Sequence, residues 1–279
     1  MFEQPHGFSG LTLGGGDRII CQSFPPPARV AAYCYGPMNL KFEQTAGQAI
    51  VYDADCIQQP AKELFDPAYW QQRGAVRRVA AGRGNTLILD TAFGLLVLRA
   101  YLRGGWAARC SRERYLFTGF DRSRPVLEMR ILAELTRLGL PVPQPVAGLC
   151  SKHGPTYTAA LLTRCISPAQ PLAELLDSDR VALPDWVRIG RCIRRFHAAG
   201  VVHPDLNVRN ILLGPRTDSR SDVYLVDFDR ARLRNGAARV QRAGLQRLRR
   251  SLQKAWPDHR QGDLQACWAG LLQGYNGQG

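Results

Sequence analysis

Lysine is nearly missing from this chain. Of its 37 basic residues only Lys41, Lys62, Lys152 and Lys254 are lysines, and none lies between Lys62 and Lys152. A site in that span that needs a cation must use arginine, which is planar, permanently charged and able to grip a carboxylate or phosphate through two parallel donors. Long apolar runs are missing too. No stretch approaches the roughly 20 residues that cross a bilayer, and no basic segment leads into an apolar one at the N-terminus. Neither a membrane span nor a secretory leader is expected, and the chain reads as cytoplasmic. There is no internal repeat. The eight cysteines form no CxxC pair and have no histidines at ligand spacing. A zinc site and a disulfide framework are therefore not expected, and the thiols read as small apolar residues.

Positive charge is abundant. The 279 residues carry a formal charge of +14, with 45% hydrophobic and 22% charged content, which suits a soluble enzyme able to bury a substantial core. Base composition of the gene would explain the arginine bias without any function. An anionic partner would also explain it, and charge alone leaves open nucleic acid, an acidic membrane surface or a phosphorylated lipid. Residues 1–59 read as an N-terminal extension. Gly14, Gly15 and Gly16 and then Pro25, Pro26 and Pro27 interrupt regular structure, so the first 37 residues are expected to be flexible or upstream of the working start.

The stretch from Val201 to Phe228 organises the chain. Two short apolar runs, 211–213 and 223–226, read as buried strands joined by a turn over 214–222. Each has polar residues at its mouth: His203, Asp205 and Asn210 before the first, Asp227 and Asp229 after the second. These offsets match the kinase catalytic loop H-R-D-L-x-x-x-N, with Asp227-Phe228-Asp229 standing where D-F-G would. In that pattern Asp205 orients an acceptor hydroxyl, while Asn210 and Asp227 bind magnesium.

The upstream sequence supplies companion parts. Gly82 and Gly84 sit in a turn between two strands and could lay backbone amides over ATP phosphates; a plain hairpin turn explains them nearly as well, since the third glycine is absent. The strand 95–99 fits V-A-I-K but ends in arginine, so Arg99, or Arg103 beyond it, must take the lysine's role toward the alpha and beta phosphates. Ser123 and Pro125 open a helix, whose expected apolar face is Leu127, Ile131, Leu135 and Leu138. Glu128 is placed to pair with the strand-end cation, with Glu134 as competitor. Strands near 146–150 and 156–163 lead to a hinge over 161–166, where the backbone of Thr163 and Cys165 would meet adenine. A helix over 184–199 has Trp186, Ile189, Ile193 and Phe196 on one face and stops at Gly200. The last clear pattern is a basic amphipathic helix over 240–256. Its Leu245, Leu248 and Leu252 oppose Arg247, Arg249, Arg250 and Lys254, so it is expected to bury its leucines, with a membrane or anionic-substrate role as the alternative.

The expected fold is therefore α+β and two-lobed, protein-kinase-like. Residues 60–166 form a small β-rich N-lobe with one main helix, and 167–279 form a mostly helical C-lobe. Within this frame GRGNT, LVLRAYLRGG, RERYLFTG, LPVPQPVAG, HPDLNVRNILL and VYLVDFDRARL resemble the 3-deoxy-D-manno-octulosonic acid (Kdo) kinase family of lipopolysaccharide synthesis, over about residues 60–256. The resemblance implies ATP-dependent phosphorylation of the 4-hydroxyl of the Kdo residue of Kdo-lipid IVA. It also implies peripheral contact with the cytoplasmic face of the inner membrane, with no nucleic-acid partner. In the mechanism expected from the catalytic-loop pattern, Asp205 accepts or orients the hydroxyl proton, His203 braces the loop and Arg209, next to Asn210, offsets charge on the transferred group. Pro204 departs from the alanine of the family pattern, as does the N-terminal extension. No A-P-E follows Asp229, so a protein acceptor is not expected. An aminoglycoside- or choline-type kinase and a non-catalytic basic binding module are the alternatives.

Overall fold

Alternating apolar segments assemble into one antiparallel sheet. The computed structural model describes residues 38–79, 86–101, 114–215, 223–234 and 238–277. Gly82, Gly84, Arg103 and most of the 214–222 turn lie outside them. The main sheet contains β1 (Leu40–Gln44), β2 (Gln48–Asp53), β3 (Val76–Val79), β4 (Thr86–Thr91), β5 (Gly94–Ala100), β6 (Tyr115–Leu116), β7 (Pro145–His153) and β8 (Thr156–Arg164). Their order is β1-β2-β7-β8-β5-β4-β3, with β6 added to β8. Strands β1 and β2 fall in the stretch that the sequence reading set apart as an extension; β2 pairs along β7 from Gln48 to Tyr52, so they belong to the sheet.

The period of two along the strands sorts side chains into two cores. Ala49, Val51 and Leu161 face one of them. Ile50, Tyr52, Leu96, Leu98 and Leu162 face the other, closed by Leu64, Phe65 and Trp70 around the short helix α1 (Pro67–Gln72).

Helix α2 (Arg124–Arg137) covers the first face, in a different rotation from the expected one. Leu127 is 51% exposed and Leu138 41% exposed, while Val126, Met129, Leu132 and Leu135 are buried together with Glu128. The helix carries two overlapping apolar stripes, and the buried one is the stripe that brings Glu128 inward to a cation. Ser123 precedes the helix without a side-chain cap; its hydroxyl donates to Phe120 O at 2.6 Å. The Arg124 amide donates to the Tyr157 hydroxyl at 3.2 Å.

The rest of the chain is mainly helical: α3 (Leu172–Asp177), α4 (Leu183–Ala198), α5 (Ala238–Ala255) and α6 (Leu264–Asn276), six α-helices in all among the described residues. Small ladders join β9 (Gln170–Pro171), β11 (Ile211–Leu213) and β12 (Val223–Leu225), and separately β10 (Val201–Val202) with β13 (Arg232–Leu233). Trp186, Ile189, Ile193 and Phe196 of α4 are all buried, as the spacing predicts.

Helices α4 and α6 touch backbone to backbone. A Cβ on Gly274 would stand 2.0 Å from Val187 O, and one on Gly190 2.0 Å from Leu271 O. Gly274→Ala must push the helices apart, which is expected to cost about 1–3 kcal/mol or more. The urea midpoint at unchanged slope reads this, and an unmoved midpoint would mean that the contact carries no stability.

His197, at the end of α4, meets the Tyr275 hydroxyl of α6 at 2.8 Å. Burial, helped by nearby His203, pushes its pKa down to about 4. The unfolded chain, with its histidine near the ordinary value of about 6.5, therefore takes up a proton first as pH falls. This contribution to stability is whole above pH ~6.5 and is lost toward pH ~4. Wild type should lose on the order of 1 kcal/mol more than His197→Gln between pH 7 and 5, after allowance for partial solvent screening, in urea titrations at both values.

Candidate active site

Three elements distant in sequence converge on one guanidinium. Strand β5 ends near Arg99, the second turn of α2 carries Glu128, and the loop after β12 carries Asp227. Arg99 Nη2 donates to Oε1 and Oε2 of Glu128, each at 2.6 Å, and its Nη1 pairs with Asp227 Oδ1. The Tyr101 hydroxyl adds a hydrogen bond to Glu128 Oε2 at 2.5 Å. Burial alone would lower the Arg99 pKa, but Glu128, Tyr101 and Asp227 together raise it well above its ordinary value. Burial raises the Glu128 carboxyl and Arg99 opposes that rise. Of the two glutamates weighed from sequence, Glu134 instead pairs with Arg137 at 2.6 Å on the surface.

A second pair, not read from the sequence, lies beside the first. Arg124, at the start of α2, holds Asp229 Oδ2 at 2.7 Å while its guanidinium rests 4.1 Å from the centroid of the Tyr115 ring. Its signal was an acid at the third position of Asp227-Phe228-Asp229, where a glycine would have no side chain to hold. Between the two pairs, Phe228 is fully buried against Phe196 and His203. Asp227 has φ +66, a left-handed conformation that costs a non-glycine residue about 1 kcal/mol or more and persists where the surroundings enforce it. Arg99 on its carboxylate and the Val226 amide on Asn210 O (3.0 Å) supply that enforcement.

The loop from His203 to Asn210 is braced mostly by its own backbone. His203 Nε2 contacts Val226 O at 3.0 Å and Nδ1 accepts the Asp205 amide at 3.2 Å, so the ring is neutral with its proton on Nε2. Burial lowers its pKa, in keeping with that state. Both nitrogens are thus committed to backbone groups, one within the loop and one at Val226. Asn207 donates to Asp205 O at 3.1 Å and accepts the Arg209 amide at 2.9 Å, and Asn210 Nδ2 donates to Asp205 O at 2.9 Å. The Asp205 and Arg209 side chains remain exposed. From outside the loop, Arg247 of α5 donates to Pro204 O and Ser251 Oγ accepts the Val208 amide at 3.3 Å.

These residues line a cleft of about 800 Å³. Ile88, Val97, Leu161, Leu212 and Val226 supply apolar lining, and Arg99, Glu128, Asp205, Asn210, Asp227 and Arg209 supply polar lining. Thr163 and Cys165 line it as well. The Cys165 amide, however, already donates to Leu95 O at 2.9 Å, so it is not open to a base; Thr163 sits in the sheet between Val97 and Pro145.

Residues 67–275 match the lipopolysaccharide kinase (Kdo/WaaP) family. The 3-deoxy-D-manno-octulosonic acid kinase of Xanthomonas axonopodis pv. citri (strain 306) is 41% identical over 228 residues, 81% of this chain and 89% of that protein. Proteins of the same name from Xylella fastidiosa (strain M23) and Stenotrophomonas maltophilia (strain K279a) are 41% identical over 206 residues and 39% over 230. They cover 74% and 82% of this chain and 80% and 89% of their own lengths. The solved structure of WaaP in complex with acyl carrier protein aligns at 17% identity and a TM-score of 0.45, covering 78% of this chain and 86% of that one. With the family match spanning most of the chain and relatives this similar along most of their own length, the chain belongs to the lipopolysaccharide kinase (Kdo/WaaP) family and is a phosphotransferase.

Proposed function

We propose that this chain transfers the γ-phosphoryl group of ATP to the 4-hydroxyl of the Kdo residue in Kdo-lipid IVA. One observation carries the reading: in a chain about two-fifths identical to kinases named for Kdo, Asp205, Asn210 and Asp227 share a cleft with the Arg99–Glu128 pair. In this reading the sheet with α2, which takes in β1 and β2 ahead of residues 60–166, and the helical part (167–279) act as two lobes around the nucleotide.

Each residue then has a distinct task. The exposed Asp205 carboxylate accepts the hydroxyl proton and aims the oxygen at phosphorus. Asn210 Oδ1 and the Asp227 carboxylate would hold Mg2+. Both are hard oxygen donors, and no cluster of three or more His, Cys, Asp or Glu able to hold a metal occurs among the described residues. That set suits an ion brought in with nucleotide phosphates rather than one caged by protein alone. When bound, the ion supplies charge neutralisation on the phosphates. Arg99, with one side fixed by Glu128, presents to the alpha and beta phosphates the donor that now meets Asp227, and Arg209 offsets charge on the transferred group. His203 keeps the loop in shape. No helix among the described residues is long and apolar enough to cross a membrane, so a glycolipid acceptor at the cytoplasmic face of the inner membrane would be met peripherally, through the arginine-rich surface.

The test is incubation with Mg-ATP and Kdo-lipid IVA, mass spectrometry for one added phosphate, and NMR of the product to locate it. Phosphate on the 4-hydroxyl is expected. Phosphate elsewhere would correct the position, and a folded, ATP-binding protein that leaves this acceptor untouched while phosphorylating a soluble aminoalcohol would overturn the reading.

A further inference from the structure

Helix α5 has three faces. Gly244, Leu245, Leu248 and Leu252 are buried. Arg242 and Arg249, seven residues apart, point elsewhere and are absent from the cleft wall. Arg247, Arg250, Ser251 and Lys254, at spacings of three, four and seven, lie along one face and line the same cleft as Asp205 and Arg209. Two of these four anchor the helix: Arg247 grips Pro204 O and Ser251 takes the Val208 amide, on either side of Asp205. The other two are exposed, and no ion pair or hydrogen bond engages the head groups of Arg250 or Lys254 among the described residues. Of the cleft carboxylates, Glu128 and Asp227 are matched by Arg99 and Asp229 by Arg124; Glu174 of α3 also lines the wall.

We infer that Arg250 and Lys254 form the subsite for the carboxylate of the sugar-acid acceptor, an inference that rests on the proposed Kdo phosphorylation. The acceptor carries its carboxylate on the same sugar as the hydroxyl to be phosphorylated, so the carboxylate must come within a sugar's width of Asp205. Two like charges that close repel unless cations stand beside them. Arg99 is tied to the sheet side of the cleft, between Glu128 and Asp227. The helix that carries the α5 cations is instead joined to the loop that bears Asp205. The Arg247 and Ser251 contacts set that position before any ligand arrives, so the helix itself needs no movement to bind, and only the two side chains remain to be ordered. The subsite makes this helix a reader of the acceptor rather than of ATP.

The test is steady-state kinetics of the full chain with Kdo-lipid IVA and with the same acceptor as its carboxyl methyl ester. Arg250→Gln/Lys254→Gln removes two exposed charges and no core contact. It is expected to raise the acceptor KM by about ten- to a hundred-fold and to leave the ATP KM within about two-fold. Arg242→Gln/Arg249→Gln removes the same charge from the outer face and should leave the acceptor KM near wild type. On the methyl ester, wild type should lose most of its advantage over the cleft-face variant.

An unchanged acceptor KM in that variant would overturn the subsite, as would an equal loss in the outer-face variant, which would indicate only a general attraction to an anionic lipid surface. A rise in the ATP KM would assign the helix to the nucleotide. Equal losses of the cleft-face variant on acid and ester would assign it to lipid phosphate. Absence of any transfer by wild type would overturn the Kdo reading and the subsite together, whereas transfer with unchanged ratios overturns the subsite alone.

Discussion

Asp205→Ala should lower kcat for phosphoryl transfer by about 10²–10⁴-fold, the range seen when a general base is removed, and should barely move the melting temperature. The second half of that expectation comes from which atoms hold the loop. It is the Asp205 backbone that donates to His203 and accepts from Asn207 and Asn210. Among the described residues the carboxylate makes only a 3.5 Å contact with Asn210 Nδ2, and it lines the cleft. Alanine keeps the backbone contacts. ATP affinity, measured by calorimetry, should therefore stay close to wild type. Undiminished turnover would remove Asp205 from the mechanism; a large drop in stability would recast its carboxylate as a structural group.

Arg99→Met should have the largest effect on the fold itself. The substitution keeps much of the side-chain volume but leaves Glu128, whose side chain is 2% exposed, with Tyr101 as its remaining hydrogen-bond partner among the described residues. Removing one member of a buried ion pair typically costs about 3–5 kcal/mol, because the other charge stays buried and uncompensated. Asp227 would also lose the contact that helps hold its left-handed backbone, so nucleotide affinity should fall as well.

The pH dependence gives the loss a signature. In the variant, burial without the arginine raises the Glu128 carboxyl further above its unfolded value. The folded protein then binds the proton more tightly than the unfolded chain, so stability is recovered as pH falls through that raised pKa and lost as pH rises. A neutral double substitution, Arg99→Met/Glu128→Gln, should recover a large part of the lost stability at pH 7 without recovering turnover. If the double variant is as unstable as the single one, the uncompensated charge is not the cause.

Much of this site was legible before any tertiary contact was known, since its parts are local. The offsets from His203 to Asn210 span a single loop, and the strands that flank it are short apolar runs with recognisable ends. The helix over 184–199 announces itself by spacing alone. Other parts were legible only as alternatives. Glu128 and Glu134 are equally good helix residues on paper, and what separates them is a cation whose sequence separation from Glu128 is 29 and from Asp227 is 128. Strands β1 and β2 look unlike a sheet because β1, LKFEQ, is mostly polar and the apolar run of β2, QAIVYD, is short; β2 joins the sheet by pairing with β7, far along the chain, and β1 by pairing with β2.

By itself, then, the sequence limited the chemistry available to this protein: it offered Asp205, Asn210 and Asp227 as candidates to orient a hydroxyl and hold a metal, left Arg99 and Arg103 as alternatives for the phosphate cation, and placed no lysine between Lys62 and Lys152. Periodicity reports which residues share a face, because that depends on backbone geometry within a few residues. Tertiary structure decided which face turns inward. It rotated α2 so that Glu128 rather than Leu127 is buried, paired Arg124 with Asp229, and set the cationic stripe of α5 beside Asp205. Those choices are made by charge partners and packing surfaces far apart in the chain, whose energies exist only once the chain has brought them together.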